Sequence, residues 1–105
     1  MNDRTRDDVA YLQAMAARLE RSPRVQRCAA EAASSSTEIA TEAADSLVDI
    51  RRSAELMTQL LPKLFSQGPE SAAFDDTLDD IGEELRHIHY HIVNTKLFDY
   101  VVTRG

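Results

Sequence analysis

The chain has 105 residues, 43% of them hydrophobic and 29% charged, with a formal net charge of −6. A length of this order fits one domain with a modest core, and the hydrophobic content excludes general disorder. The acidic balance argues against nucleic-acid binding, where affinity comes from neutralising phosphates and releasing counterions, and no run of about eighteen apolar residues offers a membrane span.

Three glycines and three prolines, set among many Ala, Glu, Leu, Arg and Asp residues, predict helices joined by few turns. Met1 to Asp8 lacks the apolar core of a secretory leader, so a cytoplasmic location is expected. The single Cys28 has no second cysteine to pair with in the chain and reads as a small buried hydrophobe.

Val9, Leu12, Met15, Ala16 and Leu19 recur at helical spacing and predict a first helix over about 3–21, with Asp7 and Asp8 complementing the dipole of its early turns. Ser22-Pro23 is a cap followed by proline at the first helical position, which starts a second helix. Val25, Cys28, Ala32, Ser36, Ile39, Ala43, Leu47, Ile50, Ala54, Met57, Leu61 and Leu64 then keep a heptad-like rhythm, predicting one rod over 24–65. Pro62 lacks the amide a helix interior needs and predicts a kink there. The first half of the rod is Ala- and Ser-rich; the second half is heavier and is expected to carry more of the stability. Ala29 to Leu60 resembles the cytoplasmic signalling rods of chemoreceptors, although no matching return helix follows.

Ser66-Gln67-Gly68-Pro69 is the clearest turn signal. A third helix is predicted over 71–103. Its first part, Glu70 to Glu84, holds seven acids and no base, an arrangement suited to a solvated helix start or to a basic partner. Gly82 inside it predicts the close approach of another backbone. At 100° per residue, Ile81, Leu85, Ile88, Ile92 and Thr95 form one stripe, and Tyr90, Val93, Leu97, Tyr100 and Val101 form a second on the opposite side. A helix apolar on two sides needs cover, so the second stripe is the expected partner-binding face. Its occupant is expected to be a second copy or another protein.

The fold expected is therefore all-α, a single domain over residues 1–105. Either a three-helix bundle or a long antiparallel helical hairpin completed by homodimerisation satisfies the pattern. The role expected is association, as a regulatory, adaptor or assembly protein acting through its C-terminal helix, with no nucleic acid or membrane as partner.

The histidines define the alternative. His87 and His91, four apart, share one flank, and Glu84 completes a Glu-x-x-His element of the kind that carboxylate-bridged metal bundles use. Glu84, His87 and His91 are thus candidate ligands for a divalent metal, with a homodimer supplying a second set. Glu38, Glu42, Asp45 and Glu55 on the middle helix, or Cys28 for zinc, would be further donors. No other cofactor is expected. His89 points to the other flank.

His91-Ile92-Val93-Asn94 resembles the phospho-accepting helix of histidine kinases and bundle-type phosphotransferases, where asparagine follows the histidine at three residues. That resemblance implies phosphotransfer at His91. It departs where those families place an acid and this chain has Ile92. With no glycine-framed serine and no phosphate loop, an enzyme is not expected. Histidines beside two apolar faces also predict that association weakens below about pH 6.

Overall fold

The computed structural model describes residues 3–104 of the chain. Five helices and no strand are found among them: α1 (Asp3–Glu20), α2 (Pro23–Ala32), α3 (Ser36–Ser66), α4 (Ala72–Asn94) and α5 (Lys96–Arg104). Each of the three middle starts carries a serine cap. The Oγ atoms of Ser22, Ser35 and Ser71 accept the backbone N–H of Val25, Glu38 and Phe74, satisfying donors that a helix start leaves free.

The expected rod over 24–65 is two helices. Ala33 adopts the left-handed conformation at φ 52° and closes α2, and Ser35 then caps α3. The helix α3 runs unbroken through Pro62, whose place near the C-terminal end puts it within four residues of the helix terminus. The predicted third helix is also divided. Thr95 is extended at φ −112° and ψ 119°, so α4 ends at Asn94 and α5 turns away. Three interactions hold that turn: the Thr95 hydroxyl lies 2.7 Å from Ser46 Oγ, and Glu42 Oε1 accepts the Lys96 backbone N–H at 2.6 Å. In addition, Leu97 enters the core.

Helix α3 is the spine. Both α1 and α4 lie along it, and among the described residues their backbones do not approach one another. The Thr37 hydroxyl donates to Glu20 near one end, while Arg52 pairs with Asp8 and Arg51 stacks 4.7 Å from the Tyr11 ring near the other, so α1 runs antiparallel to α3. Likewise His87 meets Ser53 and His91 meets Ser46, which makes α3 and α4 an antiparallel hairpin. At 100° per residue, the contacts with α1 (Asp45, Val48, Arg52) and those with α4 (Ser46, Ile50, Ser53) lie about 130° apart around α3. The arrangement is open rather than a closed three-helix bundle.

Its dimensions agree. The Cα atoms span 51 × 36 × 16 Å with a radius of gyration of 16.9 Å, against about 13 Å for a compact domain of this length. Two stacked helices fill the thin direction, and they do so where α2 and α5 cover the first half of α3. The core is there: Val25, Cys28 and Ala29 of α2, Ile39, Ala40 and Ala43 of α3, and Leu97 of α5. This reverses the expectation that the heavy half of α3 dominates. Beyond Ala44 no apolar residue of α3 is buried; Leu47, Ile50, Met57, Leu60 and Leu64 are half-buried, and Leu56, Leu61 and Phe65 are exposed. Large side chains sit where cover is missing, and small ones sit where helices approach closely.

Gly82 is not explained by a passing backbone, because a Cβ there would meet nothing within 4 Å.

Candidate functional site

The hairpin of α3 and α4 has two different sides. On one side, Leu47, Ile50, Ala54, Thr58, Leu61 and Phe65 follow one another along α3 at helical spacing, and Phe74, Leu78, Leu85, Ile88 and Ile92 follow one another along α4. Leu47, Ile50, Ile88 and Ile92 line a groove together, closed at its end by Phe98, Val101 and Val102 of α5. None of these residues is charged. Leu85 is 53% exposed and Phe65 93%.

The residues expected to form a partner-binding face do not share one surface. The bend at Thr95 takes Leu97, 5% exposed, into the core, and Tyr100 and Val101 pack against that core, with Val101 also on the groove wall. Tyr90 and Val93 stay exposed on the edge of α4 that faces away from α3. A second flank of α4 carries exposed Leu78 and Leu85, with Ile88 and Ile92 half-buried beside them. Periodicity marks Leu85, Ile88 and Ile92 as one stripe, but by treating α4 and α5 as one helix it joins Leu97, Tyr100 and Val101 to Tyr90 and Val93.

The other side of the hairpin holds a polar seam. His87 and His91 stack edge to face at 4.7 Å, and their Nε2 atoms are 3.1 Å apart. The Nδ1 of His87 lies 2.8 Å from Ser53 Oγ, and that of His91 lies 3.1 Å from Ser46 Oγ. Asp49 of α3 brings Oδ2 to 3.4 Å from His91 Nε2. Its Oδ1 is 3.7 Å from Arg52, whose Nε donates to Asp8 Oδ2 at 3.1 Å. Ser46 and Ser53 are buried, and the His91 side chain is 12% exposed.

Of the three expected ligands, His87 and His91 are brought together. The acid that joins them is Asp49, not Glu84: one ligating atom from each of Asp49, His87 and His91 lies within 4.8 Å of the others. Glu38, Glu42, Asp45, Glu55 and Cys28 stand outside that group, Cys28 in the core and Glu42 at the start of α5. Asp49 follows Ser46 by three residues and precedes Ser53 by four, so all three reach the seam from one side of α3. His89 is exposed on the other flank. His87 and His91 do not line the apolar groove, while His91 meets the ring of Tyr90 edge to face at 5.5 Å.

Among the described residues, no helix is long and apolar enough to cross a membrane. No protein-family model, curated protein or solved structure matches the chain.

Proposed function

We propose that the protein is an assembly module whose α3–α4 hairpin pairs with that of a second copy to complete a helical bundle. The observation that supports this is the uncharged face running from Leu47 to Phe65 on α3 and from Phe74 to Ile92 on α4. In a chain that is 29% charged, a stripe of this length without a charge is poorly suited to water and well suited to another apolar face.

The occupant in this reading is a second copy of the same chain, which the absence of charge on this face permits. Two molecules each of net charge −6 repel through their acidic surfaces. They meet through this face with no carboxylate opposed to another. Two antiparallel hairpins so joined give four helices around a shared core, with α1 outside, and a two-fold axis makes the face complementary to itself. The heavy half of α3, left uncovered within one chain, becomes the centre of that core.

Size-exclusion chromatography with light scattering tests this on Leu85→Asp beside Tyr90→Asp. Leu85 lies on the uncharged face and Tyr90 on the outer edge. Loss of the dimer in Leu85→Asp alone is the expected result; equal behaviour of the two variants contradicts the assignment.

The phosphotransfer alternative gains no support from the geometry. A phospho-accepting imidazole needs a ring nitrogen open to its donor, and the His91 side chain is only 12% exposed, with Nδ1 against Ser46 and Nε2 turned toward His87 and Asp49.

A further inference from the structure

We propose that Asp49, His87 and His91 form a binding site for one divalent first-row transition metal ion, of which Zn2+ is the best match, within each chain.

Two of the three donor–donor distances are those of a shared ion, and all three donor atoms lie within 4.8 Å of one another. Zinc bonds nitrogen and carboxylate oxygen at about 2.0–2.1 Å in tetrahedral geometry, which places neighbouring donors about 3.3 Å apart. Here the two Nε2 atoms are separated by 3.1 Å, and His91 Nε2 and Asp49 Oδ2 by 3.4 Å. A direct hydrogen bond between the two Nε2 atoms requires the imidazoles in different tautomers, one of them accepting from its serine at Nδ1, whereas an ion takes both in the same tautomer. Each imidazole has its Nδ1 against a buried serine hydroxyl. When both Nδ1–H groups donate to those serines, both Nε2 lone pairs face the same gap, a repulsive arrangement that a cation relieves. A hydroxyl or carbonyl on the outer nitrogen, fixing the tautomer and turning the other nitrogen inward, is the usual support of a metal-bound histidine.

The donors also come from a rigid frame. His87 and His91 are one turn apart on α4, and Asp49 reaches across from α3, so the ion would tie the hairpin together. Two imidazoles and one carboxylate suit zinc or its neighbours in the series better than magnesium or calcium, which take oxygen donors. Three protein donors leave a fourth position for water. Arg52 is the opposing charge near the site, at 3.7 Å from Asp49 Oδ1, and Asp8 on α1 offsets it by pairing with Arg52.

Isothermal titration of the tag-free full-length protein with Zn2+, and absorption spectroscopy with Co2+, test the site. The expected results are one ion per chain and an intense visible Co2+ band of tetrahedral type. His87→Ala and Asp49→Asn should abolish both signals while circular dichroism stays helical. Ser53→Ala should weaken affinity by roughly 10–100-fold, and Glu84→Gln and His89→Ala should leave it unchanged. If a ligand variant unfolds, the Co2+ band of the wild type and the Ser53→Ala shift decide. Absence of one-to-one binding to the wild type overturns the proposal. So does loss of binding in His89→Ala or Glu84→Gln with its retention in Asp49→Asn. The three donors lie within one chain, so the outcome is independent of dimerisation.

Discussion

The hydroxyl of Thr95 lies 2.7 Å from that of Ser46, and this buried pair marks where α4 stops and α5 turns back over the first half of α3. Ser46 Oγ also meets His91 Nδ1. One serine thereby couples the bend, the core contact of Leu97 and the orientation of a seam histidine. Thr95→Val keeps the side-chain shape but removes a hydroxyl from this buried set. A loss of about 1 kcal/mol is expected, the net contribution of one hydrogen bond, since Ser46 keeps His91 as a partner. Urea denaturation followed by circular dichroism measures it.

The bend also decides which apolar residues matter to the fold. Leu97→Ala should destabilise the chain by about 2–5 kcal/mol, the range for removing a buried leucine side chain. Val102→Ala, at a position 68% exposed, should stay within about 0.5 kcal/mol. Equal effects in chemical denaturation would mean that α5 does not seal the core.

Two backbone positions invite opposite substitutions. Ala33 holds the left-handed conformation that closes α2, which an L side chain adopts at a cost of about 1–2 kcal/mol, so Ala33→Gly should stabilise the protein. Gly82 lies inside α4 with open space where a Cβ would stand, and Gly82→Ala should add about 1 kcal/mol. Each should raise Tm by several degrees in a thermal melt. A lowered Tm for either would contradict the local geometry.

Cys28 should behave as a core residue. Burial foremost, then the carboxylates of Glu31 and Glu42, push its thiol pKa up, against a smaller pull down from Lys96. A folded pKa above the unfolded one means that the linked stability is present at neutral pH and is lost as pH rises through the alkaline range. Iodoacetamide at pH 8 should label the native chain far more slowly than the urea-unfolded chain. Equal rates would contradict the placement of Cys28.

The all-helical class, α1, the turn after Ser66 and the start of α2 at Pro23 are legible because they rest on local chemistry: spacing, caps, glycine and proline. The break at residues 33–35 had a legible sign as well. Ser35 and Glu38 stand three apart in the pattern of a capping box, but the Ala/Ser rhythm runs through them unchanged. The bend at Thr95 had none, since no glycine or proline marks it, and its causes, Ser46 and Glu42, lie about fifty residues away. Asp49 was missed for the same reason. His87 and His91 declare themselves by their spacing on one helix, whereas the acid facing them depends on the register of α3 against α4, which neither helix encodes alone.

The uncharged face of the hairpin is tested most directly by sedimentation equilibrium of the wild-type chain at neutral pH across a concentration series. Pairing through that face predicts a molar mass approaching twice the 11.8 kDa of one chain, reached at lower concentration in high salt, where the repulsion between two acidic chains is screened. A mass of one chain throughout the series would contradict it.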